Sequence, residues 1–363
     1  MRYRLRSPLV VALASAALLS GCRLQVLDPA GDIASRQADL IVVATLLMLI
    51  VIVPVIALTF WFAWRYRASN RAATYTPDWD HSTQLELVIW GVPLLIIIAL
   101  GAVTWISTHL LDPARPLDRI AAGRPVPEGT RPLEVQVVAL DWKWLFVYPE
   151  QGVATVNEVA VPVDRPVHFR ITASSVMNTF YVPAMAGMIY GMPGMESDLN
   201  AVINAPGDHV GFSANYSGAG FSHMRFRFRG LADADFQRWM DQQRAAGTTL
   251  DRGAYLELEK PSQREPVRRY GAVERGLFDA IVNRCVDPAR LCANQMMAID
   301  AAGGLGKDGL GQIAMPRRGD PRLGPYVASG VCETPAAQRR LVPAGLGGAG
   351  APCSPPAPLP TPS

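Results

Sequence analysis

The sequence predicts a membrane-anchored α+β protein, in which a hairpin of two transmembrane helices precedes an external β-sandwich and a set of C-terminal helices. Three observations predict this class. Two long apolar runs stand near the N-terminus, short alternating segments separated by Pro, Gly and Asn/Asp follow, and a helical period replaces the alternation from Asp233. With 363 residues, half of them hydrophobic, the chain is long enough for more than one structural unit.

The first residues have the pattern of an export signal. Three arginines among the first six residues precede a short apolar run, Leu9–Leu19. The run ends in Leu19-Ser20-Gly21-Cys22, the pattern of a bacterial lipobox, in which cleavage follows Gly21 and Cys22 receives the lipid. The alternative is an ordinary signal beside a chance cysteine. The position of Cys22 directly after the apolar run favours lipidation, so we expect residues 1–21 to be removed.

Two apolar runs are long enough to cross a bilayer. Leu40–Trp64 is an uncharged run of 25 residues, more than the ~20 that a span requires. Pro54 lies within this run and can kink the helix without preventing insertion. Leu87–Leu111 is the second run. The loop of residues 65–86 between them carries three arginines, which predicts that this loop is cytoplasmic and that residues 22–39 and 112–363 lie outside.

The external part divides into four segments by its composition and period. A Pro-rich linker of residues 112–132 leads to short alternating strands over residues 133–230, which predict a β-sandwich. Residues 231–300 form a helical extension, in which Phe236, Trp239 and Met240 share one face. Further short helices are expected near residues 254–259 and 277–284. Residues 301–363 are dominated by Gly, Pro and Ala, which predicts disorder.

Charge and cysteine usage narrow the possible functions. The net charge of +3 is spread thinly along the chain, which gives little support for nucleic acid as a partner. Four cysteines follow Cys22, all in the last quarter of the chain: Cys285, Cys292, Cys332 and Cys353. An exported domain permits disulfides, and Cys285 is close enough in sequence to Cys292 for a local pair.

The stretch Ser213–Met224 has the spacing of a metal-binding loop and almost none of the ligands. Ser213 and Ser217 stand four residues apart, Phe221 follows after four more, and Met224 after three. Cys, Cys, His and Met at these positions would form a soft-ligand copper site. As written, only Met224 is a soft ligand, because a serine hydroxyl is a hard ligand that stays protonated at neutral pH. We therefore expect this chain to bind no metal.

The architecture and several motifs resemble subunit II of the haem-copper respiratory oxidases. The motifs are the aromatic segment Trp142–Tyr148, the segment Asn178–Pro183, and the pairs Pro193-Gly194 and Pro206-Gly207. The resemblance covers roughly residues 22–284. In the branch that oxidises cytochrome c, the loop carries two Cys, a Glu, a His and a Met. With a further upstream His, these residues hold a binuclear copper centre.

In this sequence the family's copper positions hold other residues. Ser213 and Ser217 stand at the two Cys positions, Asn215 at the Glu position and Phe221 at the His position of the loop. Met224 keeps the Met position, and Asn178 stands at the position of the upstream His. The pattern resembles the ubiquinol oxidase branch, typified by the cytochrome bo-type enzymes, whose subunit II keeps a cupredoxin fold and has lost the metal. The resemblance implies a cupredoxin-like domain over residues 133–230 and no cofactor on this chain.

The resemblance also implies partners and a location. Subunit I of a haem-copper oxidase would hold the haems and copper, oxidise ubiquinol and reduce oxygen to water. Subunits III and IV and membrane lipids would be further partners. This chain would be a structural and assembly cap that is not catalytic alone. It would be a multi-pass, lipid-anchored protein of the bacterial inner membrane, with its large domain in the periplasm.

Glu86 stands at the cytoplasmic start of the second apolar run. A carboxylate beside a membrane span is a functional candidate, whereas the alternative is an interfacial Glu that the helix dipole favours. In the family, a Glu at the matching place starts a proton pathway into subunit I. The motif here comprises Leu85-Glu86 and Trp90-Gly91-Val92-Pro93. The resemblance implies that role for Glu86.

Other candidate residues have simpler interpretations. His168, His209 and His223 are expected to be exposed or satisfied, and Trp142 to be a structural aromatic now that no copper lies beneath it. A cluster of methionines at positions 177, 185, 188, 192 and 195 is expected to pack against a partner. Two rival functions stay open: subunit II of a cytochrome c oxidase with an aberrant copper site, and a non-enzymatic cupredoxin-like membrane lipoprotein.

Overall fold

A computed structural model of the chain describes residues 25–74, 76 and 78–301. The predicted signal, the lipidation site at Cys22 and residues 302–363 with Cys332 and Cys353 lie outside the described residues. Two long helices, a β-sandwich and shorter C-terminal helices follow one another along the chain. This order confirms the predicted fold class.

Helix α1 spans Asp32–Arg65 and helix α2 spans Thr83–Leu110. Both are long and apolar enough to cross a membrane by length and composition. Pro54 and Pro93 lie inside them without ending them. Most of their apolar side chains are exposed in the isolated chain. So much exposed apolar surface requires lipid or a partner protein around it.

Helix α1 begins eight residues before the predicted span because its first turns pack against the external domain. Ile33, Ala34 and Ala38 are buried there. The amides of Ala30 and Gly31 both donate to the Ala184 carbonyl, at 2.8 and 3.0 Å. These contacts join the first membrane helix directly to the β-domain.

The strands and remaining helices alternate in short elements. They are β1 Arg119–Ala121, β2 Arg124–Pro125, β3 Leu133–Leu140, β4 Lys143–Tyr148, β5 Val153–Val156, β6 Glu158–Pro162, β7 Val167–Ala173, β8 Asn178–Tyr181, β9 Ile189–Gly191, β10 Ser197–Ala201, β11 Gly207–Ser213, β12 Arg225–Leu231, α3 Asp233–Arg244, β13 Thr249–Leu250, α4 Arg252–Glu259, β14 Arg268–Tyr270, β15 Ala272–Val273, α5 Leu277–Val282 and α6 Ala293–Ala301. The predicted linker thus contains a small hairpin, β1–β2. A turn at residues 163–166 separates β6 from β7.

Two sheets form the sandwich. The first has six strands in the order β10-β7-β3-β4-β5-β14, and the second has five in the order β6-β12-β11-β8-β9. The β3–β7 and β6–β12 pairs are parallel and the other pairs within these sheets are antiparallel. Aromatic side chains fill the space between the sheets, and the rings of Phe180 and Phe226 stack at 5.4 Å.

The C-terminal extension covers two faces of the sandwich. Helix α3 buries Phe236, Trp239 and Met240 in the main core, which confirms the predicted face. Helices α4 and α5 form a second apolar core with β3–β5, to which Tyr255 and Phe278 contribute. Cys285 and Cys292 form a disulfide just after α5, as their spacing permits. Strand β14 and helix α6 had no clear sequence signal.

Candidate functional site

The replaced copper positions come together where β8 and β11 pair. Ser213 lies opposite Phe180 in this antiparallel pair, which places it beside Asn178. The Ser213 hydroxyl donates to Asn178 Oδ1 at 3.1 Å and accepts from the Thr179 amide at 3.4 Å. Ser213 and Asn178 are both buried. Neutral hydrogen bonds therefore connect the positions that a thiolate and an imidazole would take in a copper site.

The remaining polar positions of the loop bond to backbone or to sulfur. Asn215 Nδ2 donates to the Met177 carbonyl at 3.1 Å, which ties the loop to the segment before β8. The Ser217 hydroxyl lies 3.9 Å from the Met224 sulfur. Met224 is 1% exposed and belongs to the main hydrophobic core. The single surviving soft ligand is thus a core side chain in this protein.

Phe221 stands in a single helical turn, residues 221–223, and its carbonyl accepts from the Met224 amide at 3.0 Å. Its ring meets Tyr216 edge-on, with the centroids 5.7 Å apart. An aromatic contact therefore occupies the place of the loop histidine. A phenyl ring has no lone pair to offer a metal.

The donor set does not fit a copper centre. Its side chains supply hydroxyl and amide oxygens and one buried thioether, whereas copper is held by thiolate, imidazole and thioether groups. Within the part of the chain that the structure describes, no three His, Cys, Asp or Glu residues converge to hold a metal. What the site offers is a hydrogen-bonded connection between two strands and a loop.

Trp142 lies against this loop in an unusual backbone conformation, with φ at 64°. Its indole Nε1 donates to the Ser217 carbonyl at 2.9 Å. The ring covers Gly220, where any Cβ would overlap it. Trp142 therefore packs on the backbone of the loop and helps hold its shape.

The three histidines of the external domain lie in separate environments. His168 pairs with Asp198 at 2.7 Å, and His223 lies 3.3 Å from the Arg264 guanidinium. Burial lowers the pKa of His209. His168 and His223 have partners, as expected, whereas His209 Nε2 is buried without a hydrogen bond within the described residues. The expectation of an exposed or satisfied side chain is therefore wrong for His209.

The predicted methionine cluster divides into two groups. Met185 is completely buried in the main core. Met177, Met188 and Met195 expose between 39% and 55% of their area. Packing against a partner is therefore the wrong interpretation for Met185, because the turn after β8 points this side chain between the sheets. For the exposed methionines, packing against a partner stays a prediction.

Glu86 lies in the first turn of α2, where Ser82 caps the helix by accepting from the Leu85 amide. The carboxylate Oε1 is 2.7 Å from His81 Nδ1, and both side chains are more than half exposed. His81 Nε2 in turn lies 3.2 Å from the Thr83 hydroxyl. Sequence reasoning missed His81, although an imidazole five residues before a carboxylate at a helix start was an available signal.

Comparison with protein families identifies two segments of the chain. Residues 134–230 match the family described as cytochrome c oxidase subunit II, periplasmic domain. Residues 244–289 match the family described as the COX aromatic-rich motif. The first segment corresponds to the sandwich and the second to the extension that forms the second core.

Curated relatives match over most of the chain. The cytochrome bo(3) ubiquinol oxidase subunit 2 of Pseudomonas putida is 49% identical over 267 residues, which cover 74% of this chain and 82% of the relative. The ubiquinol oxidase subunit 2 of Acetobacter aceti is 47% identical, with 74% and 85% covered. The quinol oxidase subunit 2 of Bacillus cereus is 35% identical, with 75% and 89% covered. The chain thus belongs to the subunit 2 family of the ubiquinol oxidases, as its emptied copper loop predicts.

Proposed function

We propose that this chain is the copper-free subunit II of a proton-pumping ubiquinol oxidase. In this role it caps subunit I outside the membrane, supports assembly of the complex and supplies the start of a proton pathway at Glu86. One observation carries the proposal: neutral hydrogen bonds, an aromatic contact and a core methionine occupy all the former ligand positions. These side chains at the loop do not supply the thiolates and imidazoles of the copper centre that takes electrons from cytochrome c in the related branch.

The chemistry of the complex then falls to other subunits. Subunit I holds the haems and copper, and ubiquinol passes its electrons there to reduce oxygen to water. Subunits III and IV complete the assembly. The exposed apolar sides of α1 and α2 are compatible with this arrangement, because such surface needs lipid or a partner protein to cover it.

The chain is placed in the membrane by its helices and its N-terminus. Residues 40–64 and 87–111 span the inner membrane, and residues 65–86 face the cytoplasm. The signal, residues 1–21, is removed and Cys22 carries a lipid. The large domain and the tail lie in the periplasm. Mass spectrometry of the mature N-terminus tests this, because a diacylglyceryl group is expected on Cys22 and an unmodified chain that begins elsewhere contradicts it.

Glu86 is suited to take protons from the cytoplasm. Its carboxylate is exposed at the start of α2, so water reaches it. His81 Nδ1 contacts it at 2.7 Å and places an imidazole beside the carboxylate. The pair therefore forms a receiving site at the cytoplasmic end of the hairpin.

Copper content together with the choice of reductant tests the proposal. The full-length chain separated from subunit I should contain no copper, and the intact complex should turn over with ubiquinol and not with cytochrome c. Copper on this chain with cytochrome c turnover would establish the first rival, an aberrant cytochrome c oxidase. A detergent pull-down that recovers no haem protein would establish the second rival, a lipoprotein without an oxidase.

A further inference from the structure

A small cavity of about 100 Å³ lies between the first sheet and the C-terminal extension. Helix α4, the segment after α5, and the loop closed by the Cys285–Cys292 disulfide form its walls with the residue that follows β7. Its polar lining residues are Ser174, Tyr255, Glu259, Arg284, Asp287 and Arg290. Pockets for drug-sized ligands measure about 300–1,000 Å³, so only a solute of a few heavy atoms fits here.

Two hydroxyl groups in the cavity are buried without a hydrogen bond. The Tyr255 side chain is 1% exposed, and neither its hydroxyl nor that of Ser174 has a partner among the described residues. The Glu259 carboxyl lies close enough to the Tyr255 hydroxyl to raise the pKa of Tyr255 further, after the larger effect of burial. Buried hydroxyls are normally satisfied, so both point to a polar occupant.

The charged groups of the lining are balanced in sign. Glu259 and Asp287 are acidic, and Arg284 and Arg290 are basic. Arg290 approaches Asp287 only at 3.8 Å, and the charges of Arg290 and Arg284 both act on Glu259, whose pKa they lower against the larger effect of burial. A ligand of one sign would face two like charges. A ligand with one ammonium and one oxyanion group meets opposite charges at both ends.

We propose that this cavity binds a small free zwitterion of the amino-acid type. Its carboxylate would lie with the arginines and the two hydroxyl donors, and its ammonium with Glu259 and Asp287. Burial raises the pKa of Glu259 and so disfavours its charged carboxylate. A bound ammonium group would favour the charged carboxylate again.

The position of the cavity favours a dissolved solute over a lipid headgroup of the same charge pattern. The first residue of β7, Val167, pairs with Ala201. The carbonyl of the next residue, Val202, lies against Gly31, which directly precedes α1. Ser174 follows at the other end of β7, about 20 Å away at ~3.3 Å per residue. The cavity is therefore remote from the membrane helices.

Equilibrium dialysis of the intact detergent-purified complex with radiolabelled glycine tests the proposal. We expect saturable binding of one glycine per chain. Tyr255→Phe and Ser174→Ala, which each remove one hydroxyl without changing charge, should weaken binding at least tenfold. Tyr190→Phe, at an exposed tyrosine on β9, is the matched control and should leave binding unchanged. Haem content and the thermal transition of each variant report folding, and Ser174→Ala keeps the test decisive if Tyr255→Phe does not fold.

Competing probes decide the ligand class. Acetate and methylamine, which carry one charge each, should bind at least tenfold more weakly than glycine. Wild-type protein without saturable glycine uptake, or folded hydroxyl variants with unchanged glycine affinity, would overturn the proposal. If acetate or methylamine bound as tightly as glycine, the proposal would also be overturned, since a ligand with a single charge would then be sufficient. Tighter binding of glycerophosphoethanolamine than of glycine would assign the cavity to a lipid headgroup instead.

Discussion

At the scale of single residues, the absence of copper ligands is a matter of donor atoms. Ser213 and Asn178 bond to each other through neutral groups, and Phe221 has no lone pair at all. These identities are visible in the sequence. The distances are not, because Ser213 and Asn178 are 35 residues apart and meet only when β8 pairs with β11.

Glu86→Gln should slow oxygen reduction by the assembled complex by roughly tenfold, which corresponds to about 1.4 kcal/mol of barrier. The amide keeps the size of the side chain and cannot take up a proton. Oxygen consumption with ubiquinol measures the effect, and haem content shows that assembly is intact. Glu257→Gln, an exposed Glu in α4, is the control and should have no effect. Equal turnover of the Glu86→Gln variant and the wild type across pH would remove the proton role.

At the scale of elements, the loop between β11 and β12 is held in place by hydrogen bonds and ring packing rather than by metal ligands. Trp142 and the hydrogen bonds of Asn215 and Ser213 hold it in place. A frame of this kind should accept the missing donors again.

Copper binding should appear in a variant with five substitutions: Asn178→His, Ser213→Cys, Asn215→Glu, Ser217→Cys and Phe221→His. The substitutions restore soft thiolate and imidazole donors beside Met224. Metal analysis and visible absorption of the purified variant measure the outcome. The same variant with Ser217 retained lacks one thiolate and should bind copper far more weakly. Colourless, metal-free protein from the complete set would show that the loop has lost the required geometry.

The two sheets are also joined by a specific polar contact. The buried Tyr148 hydroxyl on β4 donates to the Ala160 carbonyl on β6 at 2.9 Å and accepts from the Ala160 amide at 3.0 Å. Tyr148→Phe leaves both backbone groups without this partner and should lower the unfolding free energy of the domain by about 1–3 kcal/mol. Thermal unfolding measures the loss. Tyr190→Phe, with its exposed ring, should unfold like the wild type, and an unchanged transition for Tyr148→Phe would refute this role of the contact.

At the scale of the whole molecule, the joint between α1 and the external domain sets how the periplasmic part stands on its membrane helices. Gly31 lies so close to the Val202 carbonyl that no Cβ fits without a backbone shift. Asp32 adds ion pairs to Arg36 at 2.9 Å and to Arg119 at 3.0 Å. The joint combines close packing with charge pairing at the start of a membrane span.

Gly31→Ala should loosen this joint and reduce the yield of the assembled complex several-fold. The methyl group forces the backbone of residues 30–34 away from Ala184 and Met185, whose carbonyls accept its hydrogen bonds. Co-purification of haem with the chain measures assembly. Gly253→Ala is a suitable control, because a Cβ there meets only the Asp251 side chain at 3.4 Å. If both variants assemble equally, the joint does not govern assembly.

The sequence by itself determined the class of the protein and the replacement of all but one copper ligand at the loop. Apolar runs reveal membrane helices because the bilayer demands length and composition, and donor atoms reveal metal preference because they belong to single residue types. The tertiary structure alone decided that Met224 and Met185 enter the core and that α1 begins inside the external domain. These features depend on where elements pack, and packing joins residues that the chain keeps apart.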